Sequence, residues 1–511
     1  MPIKPVRLLL GTLLTSTLFA CGGGGGGEDA TNTTSASGAS STASSATSSS
    51  STTASTAYAT YARPFAADSP WNSYPVSPVL GTATIPTDTY AAPSIANGSW
   101  SVMFAKATST DAAMTIYEDP DIGYLNTVYH QDLHSITLPH WPSDAVPAAA
   151  ADGHLDVYDA TTGIIHSFYK LRLATSGTYA GKYIARQYNR STIAGRGWGD
   201  PALYYQGARA TGVPTVAGII RTSEISDGDT MFRHALAMSL STKALSKTQP
   251  FVFPATSADS AASTAYLGDI PEGSLLMLPA SFDVSSLGSA TLKKVARTLQ
   301  TYGARVVDAN TGTRFVIYVE GVESTFTLCT DYSDCNSSNW SNTYAGELNK
   351  IADALRPVAS QSGWVGADGS KFTDFNRKLR MVAGRGTQYS STMDSWSYNV
   401  MLDRLEVTAK STAAGTLVIT DTYPVLYGYS ESFVTPVWTA GKTYVFKVES
   451  SSTDIKAKLR LIGDTEVFSA VITNGQSATI TAPANVYNAG RIFVTAPAGA
   501  SGWIRVSAYE Q

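Results

Sequence analysis

Residues 219–238 read IIRTSEISDGDTMFRHALAM. This stretch gathers Arg221, Glu224, Asp227, Asp229, Arg233 and His234 in twenty residues that are otherwise rich in apolar side chains. Most of the surrounding chain is Ser, Thr, Ala and Gly. Ile219 and Ile220 read as the end of a buried strand. Ser226-Asp227-Gly228-Asp229 reads as a turn, because Asp and Gly supply turn geometry. Asp229 or Thr230 then caps a short helix. On that helix Met231, His234, Ala235 and Met238 share one face by three-and-four spacing. His234 would point inward beside the end of the preceding strand, which marks an active-site corner.

Outward from this corner the rhythm is that of strands. Short apolar or alternating runs at 101–105, 114–117, 135–138, 155–158 and 163–173 are separated by turn residues, and 216–220 and 274–278 add two more. Such spacing predicts an all-β sandwich or barrel. Two amphipathic helices interrupt it. Residues 291–302 align Leu292, Val295, Ala296, Leu299 and Tyr302 ahead of Gly303. Residues 344–355 align Leu348, Ile351, Ala352 and Leu355 ahead of Pro357. Runs at 305–308 and 314–319 flank Asn310-Thr311-Gly312, a hairpin signal. Residues 64–100 are Pro-rich, with Trp71 and Trp100 as anchors of an N-terminal wrap. From about Val407 seven alternating runs recur with turns every eight to twelve residues, the pattern of a separate small sandwich. The expected fold is mainly β: a β-sandwich or jelly-roll-like central domain over 58–400 with a few helices, and a C-terminal β-sandwich over 401–511.

With 511 residues the chain is long enough for two or three domains. A net charge of −4 and 15% charged residues argue against nucleic acid, which needs a concentrated basic surface. The 27 Tyr and 9 Trp on a weakly charged background suit sugar rings. They fit equally well as plain strand formers.

The N-terminus is read as a signal. Lys4 and Arg7 precede a short apolar stretch, residues 8–18, too short to span a bilayer. The stretch runs into Leu18-Phe19-Ala20-Cys21, which resembles the bacterial lipobox. The resemblance implies cleavage before Cys21 and its lipidation, and Gly22 after the cysteine implies sorting to the outer membrane, facing the periplasm or the cell surface. Residues 22–57 are low-complexity Gly, Ser and Thr and read as a disordered tether. Cys329 and Cys335, with five residues between them, read as a disulfide closing a small loop in an exported protein.

Three central segments belong together: Asp152-Gly153-His154-Leu155-Asp156-Val157-Tyr158-Asp159; Gly212-Val213-Pro214 through Arg221, Glu224 and His234-Ala235-Leu236; and Leu299-Gln300-Thr301-Tyr302-Gly303 with Val307-Asp308. Their order resembles a group of secreted bacterial proteins of unassigned activity, over roughly residues 65–320. The resemblance implies one domain with His154, Arg221, Glu224 and His234 among its pattern residues, and it supplies no reaction.

Several chemistries fit these residues. Glu224 with Asp152 or Asp156 could form the paired carboxyls of glycoside hydrolysis. Equally, Asp152 could sit in a turn and Glu224 pair with Arg221. His154 and His234, with Arg221 and Tyr183 or Tyr188, could form a lyase site in which a base removes a proton beside a uronate carboxylate. Tyr183, Tyr188 and Trp198 are the candidate sugar-binding aromatics. His130 and His134, with Asp132 between and His140 beyond, lack the Glu of the helical zinc motif. Asp331 to Asp334 lack the Gly and terminal Glu of a calcium loop. No metal is therefore expected, calcium being the weak exception. No Gly-x-Ser-x-Gly occurs. The expected function is cleavage of an extracellular polysaccharide by a monomeric, lipid-anchored carbohydrate-active enzyme, a glycoside hydrolase ahead of a lyase. The alternative is a non-catalytic glycan-binding or adhesion protein, in which His154, Glu224 and His234 would lie buried and mutually satisfied.

Overall fold

The structure is a computed structural model that describes residues 57–89, 93–96, 102–125, 133–198, 207–321, 344–375, 379–382, 387–399, 404–420, 438–487 and 490–510. Cys21, the tether up to Thr56, Trp100, His130, Asp132, Cys329, Asp331 to Asp334 and Cys335 lie outside the described residues. The chain is mainly β, as its alternation predicts.

The C-terminal part is a sandwich of two antiparallel sheets. One runs Met393–Asn399, Arg404–Ala409, Ser501–Glu510, Thr443–Ser450 and Ser477–Thr481, with Leu379–Val382 also paired to Ser501–Glu510. The other runs Thr387–Ser390, Gly415–Thr420, Gly490–Ala496, Lys456–Ile462 and Glu466–Phe468. Strict alternation, as in the buried Leu405, Val407 and Ala409, sends one face of each sheet to a common core with Trp438, Tyr444, Phe446 and Leu459. Leu379–Val382, Thr387–Ser390 and Met393–Asn399 were expected in the central domain. Their pairing puts them in this sandwich.

Two four-stranded sheets carry the first half of the central part. Gln187–Thr192, Ile164–Tyr169, Leu155–Asp159 and Met103–Ala107 form one; Ser135–Leu138, Met114–Glu118, Tyr183–Ala185 and Arg172–Leu173 form the other. They enclose one core of Ile116, Leu138, Trp141, Val157, Phe168 and Tyr188. The run 163–173, expected as one strand, serves both sheets. It breaks at Lys170, whose φ of 53° no strand contains.

The second half is a seven-stranded mixed sheet in the order Val79–Leu80, Arg356–Ser360, Leu275–Met277, Ala304–Asn310, Leu236–Ser241, Phe315–Tyr318, Ser94–Ala96. The helices Ala290–Thr301 and Ala345–Ala354 bury Leu292, Val295, Leu299, Leu348 and Ile351 in its core. Ser289 caps the first, its hydroxyl accepting from the Leu292 N–H.

Two expectations fail here for one reason. Residues 230–238 are not a helix: Leu236–Ser241 is a strand buried at every position. Met231, His234, Ala235 and Met238 fall at helical spacing across the start of this strand, and periodicity alone cannot distinguish so short an apolar run from a helix. The same strand separates the expected hairpin. It pairs in parallel with Ala304–Asn310 and antiparallel with Phe315–Tyr318, so the Asn310-Thr311-Gly312 turn joins strands that are not neighbours. Residues 216–219 form turns, and only Ile220 makes a bridge, to Val319.

The N-terminal wrap is pinned by Trp71, 1% exposed, whose indole N–H donates to the Gly197 carbonyl. Gly218, at φ 73°, lies against the same ring; a Cβ there would stand 2.5 Å from Trp71 Cζ3.

Candidate functional site

The bridge of Ile220 to Val319 delivers Arg221 to Glu320. Arg221 Nη2 lies 2.9 Å from Glu320 Oε1, and Nη1 donates to the Tyr61 carbonyl at 2.6 Å. The guanidinium sits 4.8 Å from the ring centroids of both Tyr61 and Phe104. A single 3-10 turn, Thr222–Glu224, folds Glu224 back so that its Oε2 accepts from the Arg221 N–H at 3.0 Å. The same oxygen lies 3.1 Å from His234 Nε2, while His234 Nδ1 donates to the Ala235 carbonyl at 2.9 Å. Burial opposes both charges, but each partner outweighs it for the other. His234 is raised above its usual range and Glu224 is lowered below its own. Lys294 closes the corner, donating to the Glu224 carbonyl at 2.5 Å and to Asp227 Oδ1 at 2.6 Å. The adjoining cavity, lined in part by Arg63, Trp71 and Asn72, is about 30 Å³. That volume holds a water and no sugar ring. Arg221, Glu224 and His234 are thus brought together as expected, in a corner whose charges pair with one another and with Glu320, while the Arg221 Nε is left buried without an acceptor.

Asp152 and His154 lie elsewhere, so the expected catalytic set is split. His154 is 7% exposed, with its ring 5.5 Å from that of Tyr169. Burial, and then the charge of Arg209, push it down to about 3, which leaves it neutral. Asp156 is fully buried and accepts from the Thr215 hydroxyl and, at 2.8 Å, from the Val216 N–H. Burial pushes it up to about 6. It staples the 213–217 turns to the sheet and does not meet Glu224. Asp152 is half-buried and raised by burial, against the opposing charges of Arg209 and Lys170 and with the added charge of Asp259.

These last neighbours define a second cluster. The parallel pairing of Ala304–Asn310 slips by one residue at Val307, where Met238 faces Val306 and Ser239 faces Asp308. Such a bulge re-aims the side chain that follows it. Asp308 Oδ2 lies 3.2 Å from Arg209 Nη1 and accepts from the Tyr318 hydroxyl at 3.4 Å. The Arg209 side chain is buried and stacks 4.0 Å over the Tyr318 ring. Asp308 Oδ1 and Asp259 Oδ2 each lie 3.1 Å from the N–H of Ala309. Behind them, fully buried Glu272 accepts from the Tyr266 hydroxyl at 2.8 Å and from the Asp259 N–H at 3.2 Å. Burial pushes Asp308 up to about 7 against the charge of Arg209, with the charges of Asp259 and Asp152 adding to the rise. Burial and the charges of Asp259 and Asp308 push Glu272 up to about 9. The Asp308 side chain remains 20% exposed and Asp259 half-buried, so both are reachable from solvent. Two carboxyls this close, one holding its proton near neutrality, can divide acid and base work between them. The residues flanking Asp152, Ala151 and Gly153, line an open groove of about 560 Å³ that also reaches Lys170.

The expected sugar-binding aromatics are packing residues. Tyr183 lies 5.4 Å from Trp141, in the core between the four-stranded sheets. Tyr188 is buried there too, with His166 Nδ1 2.9 Å from its hydroxyl. Trp198 is buried edge-on to Phe253. His134 meets Glu118 and His140 meets Asp159, two separate pairs. Among the described residues no three His, Cys, Asp or Glu side chains converge for a metal. Arg209, Asp259 and Glu272 escaped the sequence reading. Asp308 alone carried a signal, at the end of the Val-Val-Asp strand.

No protein-family profile matches the chain, and no curated protein matches it in sequence. Among solved structures it is similar to accessory secretory protein 1, 2 and 3 of Streptococcus pneumoniae, at 11% identity over 27% of this chain and 99% of that one, with a TM-score of 0.20. It is also similar to the enzymatically active domain of bacteriophage CBA120 tailspike protein 4, at 14% identity over 24% and 19% of the two chains, TM-score 0.18. The module TmCBM61, solved with β-1,4-galactotriose, matches at 14% identity over 25% and 92%, TM-score 0.17. Likeness this shallow carries no inference about activity or residue roles.

Proposed function

We propose that this protein is an exported, lipid-anchored enzyme that hydrolyses a glycosidic bond of an extracellular polysaccharide at the Asp259–Asp308 pair. The observation that carries this reading is the shared Ala309 N–H, which holds two solvent-reachable carboxyls side by side while Asp308 is pushed up to about 7. Asp308 gives its proton to the glycosidic oxygen as the C–O bond breaks. Asp259 attacks the anomeric carbon as nucleophile, and water then cleaves the glycosyl–Asp259 ester, leaving its hydroxyl on the sugar and its proton on Asp308. Arg209, fixed and buried, offsets charge that builds on Asp308 once the proton has left. Lipidation at Cys21 would hold the domain at the outer membrane on its tether, and Cys21→Ala would release it into the soluble fraction.

The test takes the soluble form from Ala57 onward and a panel of neutral and acidic polysaccharides. Reducing ends without absorbance from unsaturated uronic ends, abolished in Asp308→Asn, are the expected result. Both signals together would replace hydrolysis by eliminative cleavage. Neither signal, from a folded protein, would favour a glycan-binding protein. One observation already supports that second reading: Glu224 and His234 satisfy each other beside a water-sized cavity.

A further inference from the structure

The groove beside Asp152 has a composition of its own. It is lined by the small side chains of 148–151, by two exposed apolar residues, Val146 and Leu173, each 54% exposed, and by Lys170, Arg172 and Arg186. Its acids are Asp119 and Asp121. Asp119 is buried and takes both arginines, 3.4 Å from Arg172 Nη2 and 3.2 Å from Arg186 Nε. That leaves Lys170. No carboxylate lies within ion-pairing distance of its ammonium among the described residues, and its Nζ lies 5.6 Å from the centroid of the Tyr169 ring.

The backbone at Lys170 is the second observation. Its φ of 53° is left-handed, a conformation that Gly or Asn holds with little penalty and a long L side chain does not. Strain of this kind collects where a side chain is wanted in a particular place. Here it sets the Lys170 side chain in the wall of the groove, while the backbone N–H of Lys170 donates to the Asp152 carbonyl at 2.7 Å.

We infer that this groove is a subsite for an anionic sugar, carboxylated or sulfated, of the polysaccharide chain. Lys170 takes the anionic substituent. Val146 and Leu173 pack on the C–H face of the ring, and the alanine wall keeps the groove wide enough for it. The inference rests on the reading that the ligand is a glycan, and it does not require that the glycan be cleaved.

The test measures calorimetric binding to the Asp308→Asn form of the soluble protein. The probes are an oligogalacturonate, a neutral galacto-oligosaccharide of equal length and its sulfated counterpart. At least one anionic probe is expected to bind about tenfold or more tightly than the neutral one, with affinity falling as salt rises. Which of the two binds identifies the substituent. Lys170→Asn, which keeps the left-handed backbone, should remove that preference without changing the melting temperature. Equal affinity for neutral and anionic probes, or an unchanged preference in that variant, overturns the inference. Cleavage of a neutral polysaccharide by the wild type would then leave the Asp259–Asp308 reading standing. Tight anionic binding with no cleavage of any polymer would leave the groove and remove the pair.

Discussion

Asp259 and Asp308 accept from a single donor: the Ala309 N–H stands 3.1 Å from Oδ2 of the first and 3.1 Å from Oδ1 of the second. Burial pushes Asp308 up to about 7 against the guanidinium of Arg209, with the charge of Asp259 adding to the rise, so the Asp308 carboxyl keeps a proton that an exposed aspartate would lose. Removing the proton donor by Asp308→Asn should lower kcat by roughly 10² to 10⁴ while the melting temperature holds. Because the acid form is the active one, wild-type activity should fall as pH rises through about 7. In Asp259→Asn the neighbouring charge is gone, and the alkaline limb of whatever activity remains should move to lower pH. A pH–rate profile that keeps its alkaline limb in Asp259→Asn would mean that the charge of Asp259 does not act on Asp308.

Glu272 extends the same argument from activity to stability. Its carboxyl is raised to about 9 by burial and by Asp259 and Asp308, against 4.5 for an ordinary glutamate. The folded chain therefore keeps a proton that the unfolded chain releases. The resulting stabilisation is greatest below 4.5 and is lost as pH rises from there toward 9. Glu272→Gln cannot titrate, and it keeps an oxygen to accept from the Tyr266 hydroxyl. Thermal melts should show the wild type losing stability across that interval and the variant losing distinctly less. Parallel curves would mean that Glu272 ionises normally.

The Glu224–His234 pair has the opposite pH signature at each end. A raised histidine contributes stability that is complete below 6.5 and lost as pH climbs through its folded value. A lowered glutamate contributes stability that is complete above 4.5 and lost as pH drops through its folded value. Both contributions are complete only between those limits. His234→Ala leaves the half-buried Glu224 carboxylate without its charged partner and should cost about 1–3 kcal/mol. Adding Glu224→Gln should recover part of that loss. A double-mutant cycle on unfolding free energies reads the coupling. Loss of activity in His234→Ala with stability intact would instead return this corner to catalysis.

What could be read from the sequence followed the exposure of each element. Ser135–Leu138 alternates because only part of it is buried, and its predicted bounds are those observed. Leu236–Ser241 alternates Leu, Met and Leu with Ala, Ser and Ser, but Met231, His234, Ala235 and Met238 also fall at helical spacing, and that overlap hid where the strand begins. Arg221, Glu224 and His234 stood out because charge in an apolar run is visible in one dimension, and they do meet. The carboxyl cluster is long-range: Asp259 and Asp308 are brought together by a parallel crossover and a one-residue bulge, neither of which leaves a local pattern. Asp259 itself sits in a loop of Ser and Ala with nothing to mark it.

The C-terminal sandwich makes the last prediction. A fragment beginning at residue 401 follows the boundary expected from the change in sequence character, yet it omits three strands. Leu379–Val382 pairs with Ser501–Glu510, Thr387–Ser390 with Gly415–Thr420, and Met393–Asn399 with Arg404–Ala409. Without them both sheets present open edges. The core also loses Met393, which lies buried over Gly415 so closely that a Cβ there would stand 2.5 Å from its Sδ. Losing that side chain alone removes about 2–5 kcal/mol. A fragment beginning at residue 376 should elute as a monomer and melt cooperatively, while the fragment from 401 should aggregate or melt far lower. Size-exclusion and circular-dichroism melts compare them directly. Equal behaviour would mean that these three strands add nothing to the sandwich.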